Sequence, residues 1–311
     1  MSCPSLDVSV VFLVFNRPET TAKVFDRIRA ARPARLFIVA DGPREKRAGD
    51  AEKCRQVREL IERGIDWPCV VVRDYSATNL GNGRRVASGI TNAFKQVEAA
   101  IILEDDCLPD PTFFPFCAEL LERYRDEARV GLIGGSHHQL ESVPGDTSYY
   151  FCRYGNIWGW ATWRRAWEKF DLEMNDWAQW RDAGNLERLF PDKAVQRFWR
   201  GTWNDVASGR GDTWDYQWTF CYMRHGMAGV LPRRALVENI GMGPDATHTA
   251  GMRDMCAPVS PMEFPLIHPD LIEPDREAEA KASRRFFSGS PLIKRLFAKL
   301  GRMRARLFAA S

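Results

Sequence analysis

The chain has 311 residues, 45% of them hydrophobic, and its 44 Lys and Arg against 41 Asp and Glu leave a formal net charge of +3. That length and apolar content suit one large α/β domain or two small ones and exclude a disordered chain. So small a net charge argues against a nucleic-acid binder outside the basic C-terminus, and no stretch reaches the roughly 18 apolar residues of a membrane span.

The N-terminal MSCPSLDVSVVFLVFNRPE lacks a basic leader region and a small-residue cleavage site, so its apolar run Val8 to Phe15 reads as a first strand and not as a signal peptide. Asn16-Arg17-Pro18-Glu19 follows as a loop, then a helix through Val24, Phe25 and Ile28. Leu36 to Ala40 is a second buried strand ending at Asp41-Gly42-Pro43, with a helix from Cys54 to Ile61. Val70 to Val72 is a third strand. Val86, Ile90 and Phe94, at four-residue spacing, mark a helix from Arg85 to Phe94, and Ala99 to Leu103 is a fourth strand ending at Glu104-Asp105-Asp106. Alternation of this kind predicts a mainly parallel sheet, whose ligands bind beyond the carboxyl ends of the strands. The polar residues stand at those ends.

From about Tyr149 the texture turns aromatic, in FCRYGNIWGWATWRRAWEKF, FWRGTWND and DTWDYQWTF. Indole rings stack on sugar faces and also fill cores; packing is the default for any one tryptophan, and the cluster as a set points to saccharide. The eight cysteines are scattered without a C-x-x-C pair, which predicts a reducing cytosol and no cysteine-bound zinc.

Three carboxylates at a strand end repel one another, and a turn or cap accounts for at most one. A hard cation, Mg²⁺ or Mn²⁺, would relieve the repulsion and complete its shell with phosphate oxygens, making a diphosphate the expected leaving group. An acidic triplet alone is a weak motif, and solvated loop charges explain the same spacing equally well.

The succession VVFLVFNRPE, LFIVADGP, NLGNGRRVASGITNAFKQV and AAIILEDDCLPDPTFFPFCAELLERY resembles the GT-A nucleotide-diphospho-sugar glycosyltransferases, family 2-like. Within them it is most similar to the N-acetylglucosaminyltransferase branch and its bacterial relatives. The resemblance covers roughly residues 8 to 250 and implies an α/β GT-A domain over 1–250, with a nucleotide-binding half over 1–126 and an acceptor half over 127–250, followed by an extension over 251–311.

It implies that Arg17 contacts the nucleotide, that Asp41 meets a uracil base, and that Asn79, Gly81, Arg84 and Arg85 approach the nucleotide and diphosphate, with Gly81 and Gly83 allowing close backbone approach. Glu104 would lie at the same site, Asp105 near ribose and metal, and Asp106 would ligate the metal. Gly155, Trp158, Gly159 and Trp160 would shape the donor-sugar and acceptor pocket with Trp214. Asp215 would be the general base of an inverting transfer; Asp212 competes for that role or caps the helix that follows, and the two could be exchanged. His248 is a candidate second metal ligand. His137-His138 could touch the acceptor, though an ordinary loop role without a ligand is the default for them.

Residues 284 to 311 carry eight Lys and Arg and no acidic residue, with apolar residues at three- and four-residue spacing. Such a basic amphipathic helix suits the anionic inner face of the plasma membrane, or packing on protein. On the membrane reading the acceptor is a lipid-linked saccharide or growing surface glycan. A sugar nucleotidyltransferase would need a glycine-rich basic loop after the first strand, where VFLVFNRPETTAK has no glycine. A non-catalytic saccharide-binding protein would need neither the acidic triplet nor a nucleotide half.

Overall fold

The computed structural model describes residues 6–137, 139–241 and 257–286. Its first part repeats strand and helix: β1 (Ser9–Val14), α1 (Pro18–Ala31), β2 (Arg35–Ala40), α2 (Asp50–Gly64), β3 (Val70–Tyr75), α3 (Asn82–Phe94) and β4 (Ala99–Glu104). All six residues of β1 are buried, as a strand paired on both edges and covered on both faces requires. The run over β3 extends beyond Val72 to Tyr75, because this strand lies at the sheet edge with its side chains half exposed and so does not read as apolar. Pro18, with no N–H to lose, opens α1.

The second part does not keep the alternation. It runs β5 (Cys107–Pro109), α4 (Phe113–Arg123), β6 (Val130–Gly134), β7 (Tyr149–Cys152), β8 (Trp160–Trp163), α5 (Arg164–Trp167), α6 (Trp177–Asp182), α7 (Asn185–Leu189), α8 (Lys193–Ala207), α9 (Asp215–Arg224), β9 (Ala228–Pro232), β10 (Val237–Asn239) and α10 (Arg276–Phe286). Among the described residues, eight strands form one sheet in the order β3-β2-β1-β4-β8-β6-β9-β7, and β10 pairs with β5 beside it. Strands β3, β2, β1 and β4 are mutually parallel, whereas β8 enters antiparallel to both β4 and β6.

The pleat divides the core in two. Val11, Leu13, Phe37 and Val39 face α3 and the tryptophan-rich helices, while Val10, Phe12, Leu36 and Ile38 face α1, α2 and α4. Residues 257–286 contribute to both layers, Met262 and Leu266 to the second and Ala278 and Ala282 to the first. Buried Glu279 fixes α10 by accepting bonds from the Arg153 backbone N–H and guanidinium.

The basic stretch after residue 286, expected as an amphipathic helix, lies outside the described residues, as do His138 and His248. Among the described residues no helix is long and apolar enough to cross a membrane. Cys54, Cys69, Cys107, Cys117, Cys152 and Cys221 are free thiols.

Candidate functional site

Parallel pairing brings the ends of β1, β2 and β4 side by side, and the polar residues after them converge on one cavity of about 270 Å³. Leu13, Phe15, Val39 and Val86 give it apolar walls; Asn16, Arg17, Asp41, Arg44, Asn79, Asn82, Arg85, Glu104, Asp105 and Asp212 supply its polar groups.

Asp41 is buried just past β2 and held from three directions. Its Oδ1 accepts the N–H groups of Gly42 and Leu80 at 2.8 and 2.9 Å, and its Oδ2 accepts Asn79 Nδ2 at 2.9 Å. Burial pushes its carboxyl above the usual range although those N–H groups and nearby Arg85 pull the other way. Arg85 is itself 5% exposed, paired with Asp74 at 2.7 Å, and its Nε is buried without a hydrogen-bond partner among the described residues. Arg84 does not join it. Neighbouring residues on a helix point about 100° apart, and Arg84 stands exposed on the other side of α3, where with Lys95 and Phe170 it lines a separate surface groove.

The acidic triplet is gathered around Arg17. Its Nη1 donates to Asp106 Oδ2 at 2.7 Å and reaches Asp105 Oδ1 at 3.4 Å, and the Phe15 N–H donates to Asp105 Oδ2 at 3.2 Å. Burial works against the Arg17 charge, but the two aspartates outweigh it and hold the guanidinium protonated more firmly. One guanidinium does not compensate the cluster. Burial, then Asp106, Asp105 and Asp215, drive Glu104 well above the ordinary carboxylate range, and burial lifts Asp105 to about 7 against the pull of Arg17. Asp106 lies outside the cavity lining, under Gly241, where an added Cβ would sit 2.2 Å from its Oδ2.

Among the described residues no group of three or more His, Cys, Asp or Glu side chains could hold a metal ion. Asp105 and Asp106, sharing one guanidinium nitrogen amid surplus negative charge, fit a hard cation of the kind that takes one or two carboxylates and completes its shell with phosphate oxygens.

Asp212 lines the cavity but does not cap the helix that follows it. Its carboxylate accepts the backbone N–H groups of Asn82 and Gly83 at 2.7 and 2.6 Å, capping α3 from across 130 and 129 residues. The close approach expected at Gly81 and Gly83 is therefore made by the chain itself: a Cβ at Gly81, whose φ is +81°, would lie 2.7 Å from Asp212 Oδ2, and one at Gly83 would lie 2.6 Å from the Thr213 carbonyl oxygen. Asp215 is the first residue of α9. It is not in the cavity wall, yet its charge adds to that of the triplet at Glu104.

The aromatic residues expected in the pocket are elsewhere. Trp160 and Trp214, at 0% and 1% exposure, stack on one another at 5.6 Å inside the core, because β8 lies between β4 and β6 with both faces covered. Gly155 donates its N–H to the Tyr222 hydroxyl, Gly159 turns the chain at φ +60°, and Trp158 packs beside the α1 side of the sheet; none lines the cavity. His137 is buried in the loop after β6.

Arg44 is a cavity residue that the sequence did not single out. It clamps Asp50 through Nε and Nη2 at 2.6 and 3.1 Å and lies over the Phe15 ring. A basic residue three positions past Asp41, with Asp50 opening α2, was the available signal.

No protein-family profile matches the chain, and no curated protein matches it. Solved structures do. A mannosyltransferase from Pyrobaculum calidifontis, in complex with GDP-Man and Mn²⁺, aligns at 14% identity and TM-score 0.36 over 54% of this chain and 48% of its own. S. aureus TarS 1–349 aligns at 10% identity and TM-score 0.42 over 76% of this chain and 61% of its own. A cytidylyltransferase from Leptospira borgpetersenii aligns at 10% and 0.33 over 53% of this chain and 63% of its own. The chain thus spans about half the length of that mannosyltransferase.

Proposed function

We propose that the protein is a GT-A glycosyltransferase that moves a sugar from a nucleoside-diphosphate donor to a saccharide or lipid-linked hydroxyl with inversion. The observation that carries this reading is the joining of two half-sites. Asp41, Arg17 and the acidic triplet come together at the carboxyl ends of parallel strands, and α9 brings the Asp215 charge to the same triplet from the other half of the chain.

In this reading the base of the donor, a uracil, meets Asp41, whose Oδ2 accepts only Asn79 among the described residues and has a lone pair to spare. Arg85, whose Nε is buried without a hydrogen-bond partner among the described residues, lines the same wall. The diphosphate lies toward Arg17 and the Asp105–Asp106 pair. Mn²⁺ or Mg²⁺ held by Asp105 and Asp106, with His248 as a further candidate ligand, would neutralise the departing diphosphate. Asp215 accepts the proton of the acceptor hydroxyl. The acceptor oxygen forms its bond to the anomeric carbon as the bond to the diphosphate oxygen breaks and its electron pair leaves with the phosphate. An acceptor at the inner membrane face is the partner that the basic run 284–311 suits.

The test is thermal-shift and calorimetric binding of UDP, GDP, CDP and their sugars with Mn²⁺, Mg²⁺ or chelator, coupled to product detection. Metal-dependent stabilisation by one nucleotide, lost in Asp106→Ala, is expected. Asp215→Asn should keep donor binding and lose about 10²- to 10⁴-fold in turnover. No response to any nucleotide, or full turnover by Asp215→Asn, overturns the reading.

A further inference from the structure

Asp212 ties α3 to the segment that opens α9. It leaves its own helix, α9, without a side-chain cap and spends both carboxylate oxygens on the first two N–H groups of α3. The next residue completes a lock: Thr213 Oγ1 donates to Gln217 Oε1 at 2.9 Å, and Gln217 Nε2 donates back to the Thr213 carbonyl at 2.7 Å. That same carbonyl lies where a side chain on Gly83 would be. Trp214 then stacks on Trp160 of β8, the strand paired with β4, whose last residue is Glu104. The first turn of α9 is thereby held along its axis by Asp212 and Thr213 and sideways by Trp214. Asp215 comes directly after these three anchors.

We infer that Asp212 is a positioning residue: its carboxylate, seated on the amino end of α3, holds the first turn of α9 so that Asp215 stays against the acidic cluster. The inference rests on the proposed transferase reading for the role of Asp215, while the clasp itself can be tested apart from activity. Each of its oxygens accepts one backbone N–H and keeps a lone pair, so positioning and proton transfer are separated by substitution.

The discriminating pair is Asp212→Asn and Asp212→Ala. An Asn side chain still offers one carbonyl oxygen to a helix amino end and caps nearly as well as Asp, but it takes no proton from a hydroxyl. A positioning role therefore predicts a kcat lowered by about 10- to 100-fold in the Ala variant, substantially restored in the Asn variant, with nucleotide affinity within about threefold of wild type in both. Gly83→Ala, whose Cβ would lie 2.6 Å from the Thr213 carbonyl oxygen and 3.0 Å from Asp212 Oδ1, disturbs the same clasp from the α3 side and should reproduce the Ala phenotype.

Amide hydrogen exchange gives the readout independent of turnover. Asp212→Ala should lose protection at Asn82, Gly83 and the first turn of α9 together, even if the wild type transfers no sugar and the transferase reading falls. Equal inactivity of Asn and Ala variants would make Asp212 the base. Nucleotide binding at least tenfold tighter in Asp212→Ala would make it a plug of the donor cavity, and unchanged exchange would show that it ties nothing. Any of these results overturns the inference.

Discussion

In the first hundred residues, β1, β2 and β4 bury their apolar side chains and leave charges at their carboxyl ends, where Asp41, Glu104 and Asp105 are compensated only in part by Arg17 and Arg85. Residues 149–224 do the reverse. Their conspicuous side chains, Trp160, Trp203, Trp214 and Trp218, lie wholly inside, each against another aromatic ring. Burial raises the carboxyls of the polar edge, whereas the aromatic body packs behind what is mounted on it, α9 above all. An indole in a tryptophan-rich sequence is thus no indication of a sugar platform until its exposure is known.

The largest expected effect breaks that comparison if it fails. Trp203 stacks on Trp199 at 4.7 Å, meets Trp177 and Phe220 edge-on, and donates Nε1–H to the Tyr216 carbonyl. Trp203→Ala should cost about 3–5 kcal/mol in urea unfolding. Unchanged stability with lost saccharide binding would turn the aromatic body into a binding surface.

Next in size is the buried pair that joins α10 to β7. Glu279→Ala strands Arg153, whose side chain is 32% exposed, so the loss belongs at the low end for a broken buried pair, about 3 kcal/mol by the same unfolding assay. A loss under about 1 kcal/mol would mean that water replaces the partner at no great cost.

Smaller, and of opposite sign, is the effect expected at the polar edge. The Asp105 carboxyl is raised in the folded chain to about 7, so between the ordinary aspartate value of about 4 and that point the native state binds more protons than the unfolded one. Wild-type stability should therefore fall, relative to Asp105→Asn, as pH rises through this window in the presence of chelator. At pH 8 the variant should be the more stable by about 1–2 kcal/mol. A pH-independent difference would mean that Arg17 fully compensates the carboxylate. The smallest effect sets the baseline: the exposed Arg55–Glu59 pair on α2 should show no resolvable coupling in a double-mutant cycle.

Much of the polar edge was legible because its logic is local. A run of buried apolar residues followed by Asn16-Arg17, Asp41 or the triplet marks both strand and site, and the observed bounds of β1, β2 and β4 lie within a residue or two of the expected ones. Side-chain direction was less legible: Arg84 and Arg85 look alike in a row of letters and diverge on the helix. What stayed hidden was non-local. Nothing near Asp212 announces partners at Asn82 and Gly83, and nothing near Trp160 shows that its strand is closed in between β4 and β6. Burial of an aromatic depends on what the rest of the chain lays over it, so the pocket assigned to Trp160 and Trp214 belonged to the core.

The way residues 257–286 thread into both layers sets where a recombinant fragment can stop. Cutting after residue 241, just past β10, would withdraw Met262 and Leu266 from one layer and Ala278 and Ala282 from the other, and would leave Arg153 without Glu279. Such a fragment should be recovered as aggregate, with its apolar faces open to one another. A version carried through Phe286 keeps every one of these contacts, and is the shortest one suited to crystallisation or to titration with nucleotides.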